Sequence, residues 1–552
     1  MKTVIVGGVA AGMSAAARLR RVAPTAEIVV LERSGYVSFA NCGLPYYLGG
    51  VIHERGALLL QTPEALRARL ALDVRVHQEV TAIDPAARTA TVRDLVAGRT
   101  YSETYDWLVL APGALPFVPD VPGASRGLTL RSVEDLDAMM RHVARKPRHA
   151  VVVGGGFIGI ETAENLVARG VAATIVELAP QVLAPLDPEM ASMVQHELRS
   201  HGVGLAFGRS VTAIDPASAR LSDGTVLPAD MVVFAIGVRP DTALARGAGL
   251  SIGPRGGILV DEDFRTSDPH VFAVGDATEK VDHVDGSHVL VPLANLANRG
   301  GRRVADVIAG APVADTGALG TAIVKVFDLT VAVTGWNEKR ARAAGRPYGV
   351  IHTHPYSHAA YYPGAQPMAL KLVYDPRDGS ILGAQAVGRD GVDKRIDVIA
   401  TAITAGLPAP ALAGLELAYA PPYGAAKDPV NILGYIAENR IRGASAAVQW
   451  DELDELVANG AVVVDVRSSA EYDAGHIPGA RNIPLDELAR RLDEVPAGRR
   501  VVVCCQAGQR AHTAAAFLAG HGRDVANLDG GWLTWQGGMA ARHAAGGAVA
   551  AA

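Results

Sequence analysis

Cysteine is almost missing from this chain: 552 residues hold three, Cys42, Cys504 and Cys505. Cys42 has no C-x-x-C or C-x4-C partner, which excludes both a disulfide framework and a paired-thiol centre and favours a reducing cytoplasm. No apolar run of about 18 residues marks a membrane-spanning helix. Aromatic residues make up 5% of the chain and the net charge is only −5, so neither nucleic acid nor an anionic membrane is expected as the main partner. The segment "HTHPYSH" (His352, His354, His358) lacks a zinc-binding spacing, so no metal is expected. Its prolines and aromatics suit a loop at a dimer seam.

What is present is globular: 49% apolar residues, 60 glycines, and length enough for three to four domains. The N-terminus carries a lysine and an apolar run, as signal peptides do. Its β-branched strand, glycine turn and Arg-rich helix end fit a βα unit better. "KTVIVGG" reads as a buried parallel strand, a helix follows from about Ala11 to Val22, and "EIVVLER" is the next strand. The same order of events recurs in "HAVVVGGGFIGIETAENLVARG" and "AATIVELAP". Two dinucleotide-binding domains of one construction are therefore expected.

The second glycine motif, Gly154, Gly156 and Gly159, follows a strand and opens a helix. Such a turn lets backbone approach a pyrophosphate at a helix N-terminus. Glu177 ends the following strand, where an acid hydrogen-bonds a ribose hydroxyl and repels a 2′-phosphate, favouring NADH over NADPH. The first motif reads Gly7-Gly8-Val9-Ala10-Ala11-Gly12, with Val9 in place of the middle glycine. Glu32, with Arg33 beside it, ends the next strand, and Asp276 in "VFAVGDA" is placed to hold a ribityl or phosphate group. Two dinucleotides imply a flavin and a nicotinamide exchanging a hydride.

Cys42 lies in "SFANCGLPYYLGG", among asparagine, glycine and proline. A lone cysteine is commonly a buried small hydrophobe, but these neighbours are poor core material. The segment reads as a turn opening a helix, a place that lowers a thiol pKa. Lacking a partner in the chain, such a thiol would form a mixed disulfide, persulfide or sulfenate with something small.

"SFANCGLPYYLGG", "GGGFIGIETAENL", "VFAVGDA" and "YAPPYGAAKDPVN" together resemble the coenzyme A-disulfide reductase branch of the flavin disulfide reductases, over about residues 1 to 440. The resemblance implies a homodimer with FAD and one active-site cysteine in a mixed disulfide with CoA. It assigns the redox nucleophile to Cys42 and contacts near the CoA thiol arm to Ser38 and Asn41. Ser14, Arg18 and Arg21 fall where the CoA nucleotide is held; Lys427 matches another CoA-contacting position, and Asn298 stands where a histidine can contact CoA. Arg18, Arg20 and Arg21 are also what a phosphate-rich ligand needs, or else a solvated basic helix end. Tyr361 and Tyr419 match tyrosines reaching the active site from the partner subunit, with Tyr362 and Tyr423 as neighbours that could replace them.

Past Asn439 a linker leads into a fresh α/β pattern. "CCQAGQR" places Cys505 and Arg510 at C-x4-R spacing between a strand and a helix, a loop that stabilises a thiolate or persulfide. With "VVVDVRSSAEYDAGHIPGARNIP" and "LDGGW" it resembles single-domain rhodaneses. The family's nucleophile position falls on Cys505, and Cys504 reads as a buried thiol ending the strand; the loop also resembles phosphatase loops, but its six-residue length and glutamine-glycine content favour sulfur over phosphate. Asp465 and Arg467 read as structural, and His476 and Asp529 as packing residues.

The expected fold is α/β: two Rossmann-like domains, an α+β dimerisation domain and a C-terminal α/β rhodanese domain. The boundaries are 1–113 and 241–320 for FAD, 114–240 for NAD(P)H, 321–440 for dimerisation, 447–540 for rhodanese and 541–552 for a disordered tail. The expected activity is NAD(P)H-driven reduction of CoA persulfide, polysulfide or CoA disulfide. The alternatives are an NADH oxidase or peroxidase cycling a Cys42 sulfenate, a sulfur carrier or redox sensor, and a ferredoxin-type reductase, which would have no use for Cys42.

Overall fold

The computed structural model describes residues 1–311 and 317–549, which form two compact units. In the first, five parallel strands run in the order Val271–Ala273, Trp107–Leu110, Lys2–Val6, Glu27–Glu32 and Asp73–Val76. Both faces of this sheet are covered, which is why "VIV" and "IVVL" are unbroken apolar runs. Ile5 and Val30 face the helices, while Val4, Val29 and Leu31 face the other core. The helix Ala10–Val22 packs on Ala294–Ile308 closely enough to require Gly301, whose added Cβ would lie 2.1 Å from the Ala11 carbonyl oxygen.

The same unit holds a second parallel arrangement, with Ala172–Glu177 and Met231–Phe234 flanking His149–Val153. Ala114–Pro116 pairs antiparallel with Val238–Pro240, joining the Pro/Gly-rich crossing segments that the sequence marks as counterparts.

The second unit contains the antiparallel sheet Ala322–Val326, Leu329–Gly335, Ile381–Gly388, Met368–Tyr374 and Gly349–Thr353, in that order. The turn "DPRDG" closes its central hairpin as expected, with the Asp375 carboxylate accepting from the Arg377 backbone. A five-stranded parallel sheet follows, ordered Ala447–Val448, Val525–Leu528, Val501–Cys504, Val462–Asp465 and Arg481–Asn482. The fold class is the expected one. The tail needs correction: the last helix, which packs against Pro188–Ser200, spans Gly531–Val549, so the backbone is still helical past 541. Residues 550–552 of the expected tail lie outside the described residues.

Candidate active site cysteines and nucleotide turns

The two glycine turns are built alike. Gly7 has φ +102° and Gly154 has φ +109°, backbone that only glycine adopts at ease. An added Cβ on Gly12 would lie 1.9 Å from the Gly7 carbonyl oxygen, and one on Gly159 would lie 2.0 Å from that of Gly154. Each turn starts a helix of 13 or 12 residues, Ala10–Val22 or Phe157–Ala168. At Gly156 an added Cβ would meet nothing within 4 Å, leaving the backbone open to a pyrophosphate. The Glu32 carboxylate accepts from Gly8 N at 2.7 Å and Ser34 N at 2.8 Å, while burial pushes its pKa up. Glu177 accepts from Ala179 N at 2.8 Å. Asp276 follows its strand in the turn Gly275–Ala277 and pairs with Arg131 at 2.6 Å. Arg33 reaches Asp241 at 3.3 Å. Both turns fit dinucleotides.

Cys42 sits in the 3-10 turn Asn41–Gly43, which runs directly into the helix Leu44–Gly49. The thiol is free and exposed. Ser38, at φ +49°, turns the chain into this segment, with its N–H on the Gly8 carbonyl at 2.8 Å. The Asn41 amide donates to the Arg131 carbonyl. The expected lowering of the thiol pKa is corrected: desolvation by the atoms packed around Cys42, then the Glu161 carboxylate, push it up, against the pull of Arg131. Glu161 itself accepts from the Tyr46 hydroxyl at 3.2 Å, and burial pushes it up to about 7. Glu161 lies two residues after Gly159 inside the glycine-motif helix, but only the fold brings it to Tyr46.

Ser14 Oγ donates to Asn298 at 2.7 Å, so the fold brings these two expected ligand residues together. Arg18 is paired with Asp306 at 2.6 Å. Arg20 holds the carbonyls of Pro24, Ala26, Leu70 and Ala71, a structural role in place of the expected phosphate contact. Arg21 and Lys427 are exposed. Tyr361 and Tyr419 are exposed and share a hydrogen bond of 3.0 Å between their hydroxyls.

Cys505 follows the strand Val501–Cys504, and its sulfur accepts from Gly508 N at 3.2 Å at the start of the helix Gln509–Gly520. Cys504 faces the opposite core, where burial pushes its thiol well above the ordinary value. Arg510 donates to Glu471 through both terminal nitrogens, at 2.8 and 2.6 Å, and its charge also faces Cys505. Arg467 is buried and forked onto Asp465, consistent with the structural reading. His476 stacks on Tyr472 with ring centroids 3.8 Å apart.

Two expectations fail here. His352 is not in a loop but in the strand Gly349–Thr353, 3% exposed, and Asp529 is more than a packing residue. Asp529 accepts from His352, Arg440 and Gln449. His352 Nε2 faces Glu189 at 3.1 Å, and Lys371 contacts Asp187, Glu189 and Glu338 at 2.9, 2.5 and 2.9 Å. Those three carboxylates are grouped closely enough for a cation, and the Lys371 ammonium is that cation. Burial opposes charge on His352, but its bonds to Asp529 and Glu189 prevail and push it up to about 9.

Two dinucleotide turns in one chain define an electron-transferring enzyme, and an exposed lone thiol accompanies them. Residues 1–294 match the family described as pyridine nucleotide-disulphide oxidoreductase, 321–428 its dimerisation domain, and 449–537 the rhodanese-like domain. Coenzyme A disulfide reductase of Staphylococcus aureus is 35% identical over 444 residues, 79% of this chain and 100% of that protein. The crystal structure of reduced CoADR-RHD from Bacillus anthracis is 50% identical, with TM-score 0.96 over 98% of each chain. A NAD-dependent persulfide reductase from A. fulgidus is 38% identical, with TM-score 0.92 over 97% of this chain and 100% of its own. The chain belongs to the pyridine nucleotide-disulphide oxidoreductase family, carries a rhodanese-like domain, and is an oxidoreductase using FAD and a pyridine nucleotide.

Proposed function

We propose that this enzyme uses NADH to reduce CoA persulfide, polysulfide or CoA disulfide at Cys42, and that Cys505 carries sulfane sulfur for it. One observation carries the reading: the exposed Cys42 thiol has no cysteine partner, so the disulfide it forms is with a small molecule. The likeness to a persulfide reductase along nearly the whole chain supports it.

Attack of the Cys42 thiolate on the inner sulfur of CoA–S–SH forms Cys42–S–S–CoA and releases HS⁻. Attack on the outer sulfur leaves Cys42–S–SH and CoA–S⁻, and attack on CoA disulfide leaves Cys42–S–S–CoA and CoA–S⁻. Two electrons from NADH and one proton then return Cys42–S–S–CoA to a Cys42 thiolate and a CoA thiol. FAD supplies the two-electron relay when bound through Gly7, Gly8, Ala11, Gly12, Glu32, Arg33 and Asp276. Gly154, Gly156, Gly159 and Glu177 would hold NADH. Following the resemblance, we assign the proton given to the departing sulfur to the Tyr361–Tyr419 pair of the partner subunit in the homodimer, two hydroxyls that share a hydrogen bond. Ser14, Arg21, Ser38, Asn41, Asn298 and Lys427 are assigned to CoA, and Arg18 joins them by releasing Asp306. The dimerisation domain supports a homodimer, and three free thiols suit a reducing compartment.

Anaerobic NADH oxidation with CoA persulfide or CoA disulfide, in the wild type, Cys42→Ser and Cys505→Ser, tests this. Persulfide turnover releasing sulfide and lost in Cys42→Ser marks a persulfide reductase. Preference for the disulfide marks an enzyme that keeps CoA reduced. No Cys42-dependent turnover with either overturns the reading in favour of a sulfenate-cycling oxidase.

A further inference from the structure

Two arginines border the Cys505 loop; each is paired with a carboxylate, and of the two Arg510 also faces Cys505. Arg467 is buried against Asp465, with contacts of 3.0 and 2.7 Å, and spends its remaining donors on the Gly475 carbonyl at 2.7 Å and the Gln506 side chain at 3.3 Å. Arg510 is forked onto Glu471 at 2.8 and 2.6 Å. Glu471 also closes its own helix start, accepting from the Ser468 backbone at 3.0 Å, so its carboxylate is fixed by two elements. The loop's nucleophile is thus approached past an arginine whose charge is already matched by a carboxylate.

That balance discriminates between sulfur donors. With thiosulfate, the thiolate meets a dianion and the encounter gathers three negative charges: Cys505–S⁻ + S–SO₃²⁻ gives Cys505–S–S⁻ + SO₃²⁻. With the protonated form of a thiol persulfide, the reacting sulfurs gather only one: Cys505–S⁻ + R–S–SH gives Cys505–S–SH + R–S⁻. Three negative charges need a free cation, and the first donor's leaving group is itself a dianion.

We propose that Glu471 is a specificity-determining residue: by neutralising Arg510 it makes Cys505 accept sulfur from thiol persulfides and reject thiosulfate. This rests on Cys505 being the sulfur carrier.

The test uses the full-length, FAD-loaded enzyme without NADH. Thiocyanate formation from cyanide is followed with thiosulfate or glutathione persulfide as donor, after subtracting the Cys505→Ser rate. Glu471→Gln keeps the helix cap and removes the charge. Its kcat/KM for thiosulfate rises on the order of tenfold, a change of about 1.4 kcal/mol, and that for glutathione persulfide stays within about twofold. Persulfide turnover also reports that the loop is folded. Glu471→Asp keeps the charge and must keep the wild-type donor ratio. A ratio unchanged in Glu471→Gln, or raised equally in Glu471→Asp, overturns the proposal while leaving the carrier role intact. Wild-type rates no higher than Cys505→Ser with both donors overturn the carrier role itself.

Discussion

His352 gives its backbone N–H and its Nδ1 to the same carboxylate oxygen of Asp529, each at 2.9 Å. The contact joins a strand of the dimerisation sheet to the turn that supports the Cys505 loop. Three residues beyond Asp529, Trp532 donates its backbone N–H to the Cys505 carbonyl at 2.8 Å. The Cys505 loop is therefore braced by another domain of the same unit.

A pH dependence follows from this contact. His352 is raised above its ordinary value to about 9, so its charged form is favoured by folding. The stability it confers is fully present below about pH 6.5 and is lost as pH rises through about 9; a shift of this size is worth up to about 3 kcal/mol. Denaturant midpoints measured from pH 6.5 to 9.5 fall in the wild type and vary less in His352→Gln. Equal slopes in the two proteins would contradict the assignment.

Lys371 neutralises three carboxylates with its side chain fully buried. Lys371→Met strands those charges and destabilises the protein by about 3–5 kcal/mol. Adding Glu189→Gln removes one of them and restores part of the loss. Urea unfolding of the single and double variants checks both statements, and additive losses would show that the charges are not coupled.

Alanine at two neighbouring glycines separates backbone geometry from ligand access. At Gly154 the methyl would lie 2.4 Å from the Ala235 carbonyl oxygen on backbone of φ +109°. Gly154→Ala lowers stability by about 1–3 kcal/mol. Gly156→Ala has space and ordinary backbone, so stability holds within about 1 kcal/mol while the KM for NADH rises. Thermal denaturation paired with NADH titration distinguishes the two.

Thiol labelling of the reduced protein separates its three cysteines. Cys42 is exposed, while Cys504 and Cys505 are 0% and 1% exposed. Iodoacetamide modifies Cys42 ahead of the other two, in a phase that quickens as pH rises because its thiol pKa is pushed up, and that disappears in Cys42→Ser. A fast phase surviving that substitution would mean that the Cys505 loop opens readily.

Sequence alone conveys those features whose physics is local. Glycine spacing after a buried strand, a cysteine among turn formers, and C-x4-R before a helix each act over a few residues. Glu161 was legible as part of a helix, but its bond to Tyr46 spans 115 positions of chain. The Arg510–Glu471 fork spans 39 positions and the His352–Asp529 contact 177. Lys371 hides in "MALKLVY", a strand buried along its whole length. The direction of the Cys42 shift was missed for a related reason: the helix start is local, while Glu161 and the surrounding desolvation are supplied by distant segments.

Cys504 and Cys505 are neighbours in sequence that occupy opposite cores of one sheet. Strand alternation keeps their sulfurs apart, so the two cannot join without turning the strand over. A peroxide reaching Cys505 therefore finds no resolving thiol beside it, and the sulfenate it forms waits for a thiol from solution. In the proposed carrier role Cys505 is kept from pairing with its own neighbour, and its repair is tied to the pool of small thiols around it.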